Sequence, residues 1–582
     1  MTTVRALLVD NPHDLKHAMA ALAGRPLLAL DLETSGLDCH SDRVLLLSVG
    51  DAEQQLLVDC RKTSLEPLRP LLEGPVPKVT HNGAFDAAML RALGIRAENL
   101  IDSMLVEQVI TNGRRGARRS LAHLAEKYLG RALDKSERLG FASLQGDFSD
   151  AQLEYARRDI LATYHVLLEQ MPEVVSNGLE STVQLECRAV TAFADLHFDG
   201  LFLDRQAWSQ LIDEARESRD ALRDQIDAAL GKVVQTDLFG RADVNLESES
   251  DLRQALSKLL GRTVRELNKQ ALGRLGHPIG EQLLRYREAA KIVSTYGESY
   301  LDAIHGKTGR IHADFLQIGA PTGRVACREP NLQNVPRGSR FRACFRAPEG
   351  RRMVTADYAG CELRILAEAS GDRAFIDTFQ RGGDLHAIVA SEIFNTPVSK
   401  ERNPELRDRA KAINFGLAYG MGAGGLAAVT GLTLEEAERL LHRYFAAYPR
   451  VRDYLEDSAR QAIERGWAET LGGRRLWLEV GERIEGADLA AVARVAKNMP
   501  IQGTNADMLK IALAGIRTRL IEDGLGGFAV NCVHDEILLE TSEGEAWDAA
   551  ALVKDEMIKA AERYISQVPA EVDVAVGPAW QK

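Results

Sequence analysis

Residues 407–420 read RDRAKAINFGLAYG, and helical spacing places Arg407, Lys411 and Phe415 on one face, four residues apart each time. Two cations and an aromatic ring on one stripe suit a ligand with a polyanionic end and a flat end, such as a nucleoside triphosphate. Good helix formers fill the segment, and Gly420 is well suited to ending it. A core helix whose basic side chains merely reach solvent would show the same stripe, so other segments must decide.

The length and composition of the chain describe an ordinary globular protein of several domains. At 582 residues it exceeds what one hydrophobic core usually supports, and we expect about three to four domains or subdomains. No apolar run reaches the roughly 18 residues of a membrane span, and the N-terminus shows no secretory or organelle import signal. Seven cysteines without a C-x-x-C pair favour a reducing cytoplasm and disfavour a structural zinc site.

The net charge of −12 speaks against simple neutralisation of a nucleic-acid backbone, which favours a basic protein. Two local runs are nevertheless strongly basic. Residues 337–352, RGSRFRACFRAPEGRR, carry six arginines and one glutamate, and a second run contains Arg114, Arg115, Arg118 and Arg119. A solvated surface is the simpler explanation of any charge run. Basic stripes on an acidic body also fit a protein that follows a phosphate backbone and holds metal ions on carboxylates elsewhere.

An apolar strand pattern near the amino terminus carries two carboxylates. Residues 27–33, LLALDLE, alternate with a period of two, which sends Asp31 and Glu33 to the same side. Residues 43–49 and 55–58 predict two more strands and an antiparallel start to a mixed sheet. The two carboxylates make half of a cage for a divalent cation, although a lone D-x-E strand is more often an exposed edge.

Further acids strengthen the case for a metal site. Asp86 lies within HNGAFDAAML, and in YARRD a step of four residues places Tyr155 and Asp159 on one helical face. Four acids and a phenol supply what two-metal hydrolysis of a phosphodiester requires, because metals activate a water that a hydroxyl can orient. The D-x-E, N-x-x-x-D and Y-x-x-x-D segments resemble the three motifs of DEDD-type 3′→5′ exonucleases of the tyrosine variant. The resemblance implies an active proofreading nuclease.

The middle of the chain predicts helices. Ser120 caps an amphipathic helix in the following LAHLAEKYLG. A domain boundary is expected at 171–182, where Pro172 and Gly178 interrupt the helical periodicity. Amphipathic patterns then cover 205–230, ending at Gly231, and 280–301. Long helices with basic residues can pack against a duplex minor groove, although a plain helical scaffold explains the periodicity equally well.

Two aspartates in the carboxyl-terminal half follow predicted strands. Residues 353–358 form a strand that delivers Asp357 at its end, and 528–540, FAVNCVHDEILLE, predict a hairpin with His534 and Asp535 at its tip. Two aspartates on neighbouring strand ends could hold two magnesium ions, one activating a primer 3′-hydroxyl and one gripping a triphosphate. The spacing alone does not prove that the two side chains meet.

Six ordered segments resemble family-A DNA polymerases of the DNA polymerase I type. DYAGCELR, RDRAKAINFGLAYG and VHDE are similar to motifs A, B and C, and further matches begin at Thr322, Gly382 and Arg494. The resemblance implies a multidomain α/β and α+β protein. A ribonuclease H-like exonuclease domain at 1–178 would precede a right-hand polymerase domain at 179–582. Within the latter, the thumb would cover about 185–303, the palm about 304–372 and 490–582, and the fingers about 373–489.

The resemblance also implies roles for single residues. Two magnesium ions, for which Mn²⁺ can substitute, are expected at each site, on Asp357 and Asp535 with Glu536 as an auxiliary acid, and on Asp31, Glu33, Asp86 and Asp159 with Tyr155. The negative charge that develops on the triphosphate during transfer would be neutralised by Arg407, Lys411 and His386. Phe415 and Tyr419 would lie against base and sugar, and Glu362 would exclude a ribose 2′-hydroxyl. The expected contacts to primer-template DNA are Arg324, Gln333, Arg494, Asn498, Gln502 and His534.

Some positions depart from the family pattern. Motif A usually reads D-Y-S-Q-I-E-L-R, and here Ala359, Gly360 and Cys361 replace the Ser-Gln-Ile core, which puts fidelity and the stringency of the gate in doubt. Tyr419 stands where many members have Phe, and it predicts tolerance of dideoxynucleotides. The chain begins about thirty residues before its first exonuclease strand, so a 5′-nuclease domain is not expected and the layout resembles phage-type replicative members.

The leading hypothesis is therefore a template-directed DNA polymerase with a proofreading exonuclease. Its expected partners are primer-template DNA, deoxynucleoside triphosphates and a single-stranded 3′ end. A monomer is expected in the cytoplasm of a bacterium or of a phage-infected host, with an accessory processivity factor as an option. A dedicated nuclease whose carboxyl-terminal half only binds primer-template is the first alternative. An RNA-synthesising relative of the same fold is the second, and Glu362 argues against it.

Overall fold

The computed structural model describes residues 5–238, 241–336, 339–399, 401–418, 421–479 and 486–581. The chain divides into two compact units. The first comprises residues up to 200, 312–334 and 347–578, and the second comprises 201–311, 335–346 and the residues from 579. No helix in the described ranges is both long enough and apolar enough to cross a membrane.

The amino-terminal part of the first unit is built on a mixed six-stranded sheet. Its strands are β1 (Arg5–Val9), β2 (Leu28–Thr34), β3 (Val44–Gly50), β4 (Gln54–Asp59), β5 (Lys78–Thr80) and β6 (Leu100–Asp102). Its helices are α1 (Pro12–Leu22), α2 (Arg69–Leu72), α3 (Gly83–Ala92), α4 (Ser103–Ile110), α5 (Leu121–Leu129), α6 (Arg138–Ala142) and α7 (Asp150–Ser176). The strand order is β1-β4-β3-β2-β5-β6.

The strand pairing confirms the predicted antiparallel start of this sheet. β2 pairs antiparallel with β3, and β3 pairs antiparallel with β4. The pairs β1–β4, β2–β5 and β5–β6 are parallel. Leu30, Val49 and Val58 are fully buried in one core, as their place in an apolar alternating pattern requires. Ser120 accepts a hydrogen bond from the His123 amide and caps α5, as predicted.

Helix α7 corrects one expectation at the predicted boundary. It continues through Pro172 and ends at Ser176, so the interruption expected at Pro172 is wrong. Proline removes one intrahelical hydrogen bond, but Leu167 and Val174 on either side of it are buried in the core, and this packing holds the helix together. Gly178, with φ of +61°, provides the break, and α8 (Glu180–Asp199) follows.

The second unit is mainly helical. Its elements are β7 (Leu201–Phe202), α9 (Arg205–Leu230), α10 (Glu249–Leu260), α11 (Lys269–Gly273), α12 (Pro278–Tyr296), α13 (Glu298–Asp302), β8 (Arg310–Ile311) and α14 (Ser339–Ala343). Helix α9 ends before Gly231, as predicted. Trp208 on α9 is buried, and its indole N–H donates to the Tyr296 carbonyl at 2.8 Å. This bond and the surrounding aromatic rings fix α9 against the end of α12.

The carboxyl-terminal part of the first unit contains an antiparallel four-stranded sheet, ordered β14-β15-β11-β16. The strands of this part are β9 (Asp314–Leu316), β10 (Ala326–Arg328), β11 (Arg351–Tyr358), β12 (Trp467–Glu469), β13 (Arg475–Trp477), β14 (Phe528–Val533), β15 (Glu536–Ser542) and β16 (Val572–Gly577). Its helices are α15 (Cys361–Ser370), α16 (Arg373–Gln380), α17 (Leu385–Phe394), α18 (Pro404–Ala418), α19 (Ala423–Thr430), α20 (Leu434–Ala447), α21 (Pro449–Arg465), α22 (Gly486–Asn498), α23 (Thr504–Glu522) and α24 (Ala546–Glu562).

Both strand predictions in this half are confirmed. β11 covers the predicted 353–358, and β14 and β15 form the predicted hairpin around His534 and Asp535. Helices α22 and α23 are joined by a π-helical turn, Met499–Gly503. Pro500 has no amide hydrogen for the regular α-helical bond, which accounts for the wider turn.

A buried network of four charges joins α8 to the carboxyl-terminal half. Glu186 accepts hydrogen bonds from Lys510 at 2.5 Å and from Arg474, and the Arg474 Nε donates to Asp507 at 2.8 Å. All four side chains are at most 2% exposed. Burial lowers the pKa of Lys510 to about 8, although Glu186 opposes this shift. Two cations and two anions thus neutralise each other inside the protein.

Candidate active sites

The predicted exonuclease acids converge. Asp31 and Glu33 lie on β2 and Asp159 lies on α7, and one carboxylate oxygen from each falls within 4.8 Å of the others. Glu33 and Asp159 are buried, and Asp31 is partly exposed. Because the two β2 residues are separated by one position, they share a face of the sheet, and α7 packs its acid against that face.

Asp86 completes this acidic group. It lies in the first turn of α3 and is buried. Burial, reinforced by the negative charges of Asp31, Asp102 and Glu33, raises the pKa of Asp86 well above its usual value. A divalent cation would relieve this repulsion. Clustered carboxylate oxygens are hard donors of the kind that magnesium, manganese and calcium prefer, so these residues fit a divalent metal.

Tyr155 takes the position that the four-residue step predicts. It is buried on α7, and its hydroxyl forms a hydrogen bond with the Asp159 side chain one turn later. Burial, together with Asp159 and Glu33, raises the pKa of the Tyr155 phenol far above its usual value. The hydroxyl therefore stays protonated and can donate a hydrogen bond to an oxygen atom at the cluster.

Lys135 also belongs to this site, and no motif in the sequence pointed to it. It lies between α5 and α6, and its ammonium donates to Asp159 at 2.5 Å and to the Tyr155 hydroxyl at 3.4 Å. The same ammonium lies 5.1 Å from the centre of the Tyr155 ring. A positive charge thus reaches the acidic cluster from outside the sheet.

The two aspartates of the carboxyl-terminal half also meet. Asp357 is the last residue but one of β11 and lies directly opposite Glu536 at the start of β15. The amide of Tyr358 donates to the Asp535 carbonyl at 3.3 Å. Burial, with the charges of Asp357 and Glu362, raises the pKa of Asp535 to about 7. The pairing of β11 with β15 brings these acids together, and oxygen donors of this kind again fit a divalent metal.

Glu362 lies beside these acids, near the start of α15. Its side chain is 6% exposed, and it forms an ion pair at 2.5 Å with Arg324. Glu362, which the sequence predicts as the ribose gate, is therefore paired with Arg324, which the sequence predicts as a DNA contact. Arg324 compensates the charge of a carboxylate that is buried next to Asp535.

Helix α18 carries the two cations of the predicted stripe. The Arg407 Nε donates to Asp384 at 2.6 Å, and Lys411 is exposed one turn later. The Phe415 side chain and the whole of Tyr419 lie outside the described residues, so their predicted roles stay predictions. Asp384 lies in the segment that begins at Gly382, although no pattern in the sequence singled it out. It caps α17 through the Ala387 amide and also anchors Arg407.

His386 on α17 lies next to these cations. The Asn414 side-chain amide donates to the His386 Nδ1 at 3.0 Å. Burial, assisted by the charges of Arg407 and Lys411, lowers the pKa of His386 to about 4. At neutral pH the His386 ring is therefore neutral in this structure, so it does not carry the positive charge that the sequence suggested.

The remaining predicted DNA contacts lie on two groups of elements. Arg494, Asn498 and Gln502 follow each other at four-residue steps along α22 and the π-helical turn, with Arg494 exposed and the other two half-buried. The Gln333 side chain donates to the Cys532 carbonyl at 3.1 Å. His534 is exposed at the hairpin tip with φ of +58°, a backbone conformation that is strained for a residue with a side chain.

The arginine run at 337–352 is not the continuous basic stripe that the sequence suggested. Its described members bind acids or rings in two separate units: Arg340 pairs with Glu214, Arg342 stacks on Trp580, Arg346 pairs with Asp204, Arg351 pairs with Glu540, and Arg352 pairs with Glu543. Charge counting along the sequence could not show these partners, because all of them are more than a hundred residues away.

The structure shows what two of the altered residues of motif A, Gly360 and Cys361, do. Gly360 precedes α15 with φ of +63°, which glycine adopts without strain. The buried Cys361 thiol donates to the Asn505 side-chain carbonyl at 3.0 Å and ties α15 to α23. Cys361 is therefore buried in the contact between α15 and α23, one residue before Glu362.

Comparisons with known proteins agree with this arrangement. A family model described as DNA polymerase family A matches residues 212–582, and one described as 3′-5′ exonuclease matches residues 7–175. The chain belongs to DNA polymerase family A, and an exonuclease domain precedes its polymerase domain.

Two of three named relatives match nearly the whole chain, and the third matches about half of it. DNA polymerase I of Chloroflexus aurantiacus is 31% identical over 581 residues, which cover 95% of this chain and 60% of that protein. DNA polymerase I of Pseudomonas aeruginosa is 32% identical, with 96% and 63% covered. The thermostable DNA polymerase I of Thermus aquaticus is 41% identical over 312 residues, with 53% and 37% covered. This chain thus spans less than two thirds of the length of these relatives.

A solved structure shares the fold. The POL domain of Pol1 from M. smegmatis, in complex with DNA primer-template and dNTP, superimposes with a TM-score of 0.84. It is 28% identical in sequence, and the match covers 99% of each chain.

Proposed function

We propose that this chain is a template-directed DNA polymerase that adds deoxynucleotides to a primer 3′ end and removes mismatched ends with a 3′→5′ exonuclease. The convergence of Asp357 and Asp535 at adjacent strand ends carries the proposal, because it joins two acids nearly 180 positions apart at one point. Family membership and the likeness to a polymerase bound to primer-template and dNTP support it.

The polymerase reaction would take place beside these two acids. The primer 3′-hydroxyl would lose its proton and attack the α-phosphorus, and pyrophosphate would leave. Asp357 and Asp535 would hold magnesium, which supplies activation of the hydroxyl and charge compensation on the phosphates when bound. Arg407 and Lys411 would bind the triphosphate through charge. His386 would donate a hydrogen bond to it.

Specificity would come from the surroundings of the acids. Glu362 would stand where a ribose 2′-hydroxyl would otherwise fit, and Phe415 and Tyr419 would lie against the incoming base and sugar. Contacts to the primer-template would come from the set Arg324, Gln333, Arg494, Asn498, Gln502 and His534.

The exonuclease would use a separate acidic site. Asp31, Glu33, Asp86 and Asp159 would hold the divalent ions, with magnesium as the proposed metal and manganese as a substitute. The Tyr155 hydroxyl would orient the attacking water by a hydrogen bond. Water would then cleave the terminal phosphodiester of a single-stranded 3′ end and release a nucleoside monophosphate.

Two reciprocal variants test this assignment on a labelled primer-template with magnesium, with and without deoxynucleotides. Asp535→Ala should abolish extension and leave digestion unchanged. Asp31→Ala/Glu33→Ala should leave extension intact and stop excision of a mismatched end. Each variant controls for the folding of the other. Unchanged excision in the double variant would remove the nuclease assignment, and extension by Asp535→Ala would remove the polymerase assignment.

The same assay separates the alternative of a dedicated nuclease with a non-catalytic DNA-binding half. That alternative requires a wild-type protein that digests but never extends. Equal incorporation of ribonucleotides and deoxynucleotides would instead favour an RNA-synthesising enzyme, which the buried Glu362 disfavours.

Finer features complete the proposal. The domain division is proposed at 178/179, with thumb, palm and fingers at the ranges given above. We place the enzyme in the cytoplasm, where its substrates are found, and propose that it acts as a monomer. A phage-type replicative role stays a prediction, and the named relatives that support the family are bacterial DNA polymerases I.

A further inference from the structure

Asn414 is a buried amide in the middle of the triphosphate-binding helix α18. It is fully inaccessible to solvent, and its Nδ2 donates to the His386 Nδ1 at 3.0 Å. Its Oδ1 has no hydrogen-bond partner among the residues that the structure describes. A buried polar atom without a partner costs about 1–3 kcal/mol, so a packing role alone does not explain an asparagine at this position.

The direction of this hydrogen bond determines where His386 carries its proton. A side-chain NH₂ group can only donate, so the Nδ1 must present its lone pair. A neutral imidazole carries one proton, which then lies on Nε2, at the other edge of the ring. Protonation of Nδ1 would set two donors against each other, and it would add a third cation beside Arg407 and Lys411.

We propose that Asn414 is a positioning residue that fixes His386 as a neutral donor through Nε2–H toward the triphosphate. The inference rests on the proposed polymerase function. It divides the work at the site, since Arg407 and Lys411 supply charge and His386 supplies a directed hydrogen bond. Asp384 contributes by capping α17, which carries His386, and by anchoring Arg407 at 2.6 Å.

The first test reads the tautomer directly. Long-range ¹H–¹⁵N spectra of protein labelled at histidine, with His386 assigned by its loss in His386→Gln, should show the proton on Nε2 at neutral pH. Asn414→Asp places an acceptor at the same spot and should move the proton to Nδ1. A wild-type signal with the proton on Nδ1, or an unchanged tautomer in Asn414→Asp, would overturn the inference. This measurement does not depend on activity.

The second test uses extension kinetics. Asn414→Asp should lower kcat/KM for the incoming deoxynucleotide by about tenfold to a hundredfold, the usual effect of losing a hydrogen bond to a charged group. In the His386→Gln background the same substitution should cause no further loss. An equal loss in both backgrounds would show that Asn414 acts through the packing of α18 and would overturn the inference.

The pH profile gives a third readout. The charged groups around His386 are Asp384, Arg407, Lys411 and Asp408. Because a carboxylate at position 414 would stabilise the imidazolium, Asn414→Asp should add an inflection near neutral pH that wild type lacks. Digestion of single-stranded DNA should stay at the wild-type rate and report correct folding. A wild-type protein that fails to extend primers would refute the proposed function, whereas the tautomer result would still stand or fall separately.

Discussion

Loss of the Glu186 charge should loosen the contact between helix α8 and the carboxyl-terminal half. Glu186 accepts from Lys510 and Arg474 and is fully buried. In Glu186→Gln the amide keeps the shape of the side chain, but two buried cations then share one anion, Asp507. Breaking a buried ion pair by removing one partner costs about 3–5 kcal/mol. We expect the lower end of this range, since Arg474 keeps its bond to Asp507 at 2.8 Å.

Hydrogen exchange read by mass spectrometry measures this loss locally, without requiring that the whole protein unfold in one step. A change of about 3 kcal/mol predicts exchange more than about a hundredfold faster in peptides from 180–199 and 467–477. Glu180→Gln is the matched control, because it makes the same substitution at an exposed position of the same helix. Its effect should stay below about 1 kcal/mol.

A double variant tests the electrostatic explanation. Glu186→Gln/Lys510→Met also removes the Lys510 cation, which would otherwise have lost its anion, and leaves the Arg474–Asp507 pair. The double variant should be about 1–3 kcal/mol less destabilised than the sum of the two single variants predicts. The reasoning is refuted if the single effects simply add, or if Glu186→Gln exchanges within about threefold of Glu180→Gln, the range of an ordinary surface change.

Three further predictions concern the two active sites. With a pKa of about 7, Asp535 is mostly protonated below that pH and must lose its proton to bind metal, so half-saturating magnesium for extension should be about tenfold higher at pH 6 than at pH 8. Equal values at both pH values would contradict this. Tyr155→Phe should slow excision of a mismatched end by at least about tenfold, with extension as the unchanged control. Excision at the wild-type rate would exclude a role for the hydroxyl. Glu362→Ala should raise ribonucleotide incorporation relative to deoxynucleotide incorporation. An unchanged ratio would show that Glu362 does not exclude ribonucleotides.

Periodicity in the sequence was enough to predict the main elements that carry the acids. The alternation in 27–33 and the four-residue step from Tyr155 to Asp159 are local properties of strands and helices. The structure confirms both, as it confirms the hairpin around Asp535. Local geometry is set within a few residues, so the sequence alone determines which side chains share a face.

Other parts of the sites could not be predicted from local patterns. Lys135 lies in a segment without regular periodicity, and its pairing with Asp159 depends on how that segment folds over the sheet. No pattern in the sequence distinguished Asn414, because its hydrogen-bond partner His386 lies on a different helix. Pro172 misled the boundary prediction, because packing on both sides of it outweighs the loss of one helical bond.

Local patterns along the chain were enough to predict most of the elements, the faces on which acids and cations stand and, through the ordered motifs, the family. Tertiary structure alone decided that Asp357 and Asp535 meet, that the arginines of 337–352 are divided among partners in two units, and that Glu186 neutralises Lys510 and Arg474. The physical reason is that backbone propensity and periodicity act over a few residues. Electrostatic pairing and burial act between atoms that only chain packing brings together.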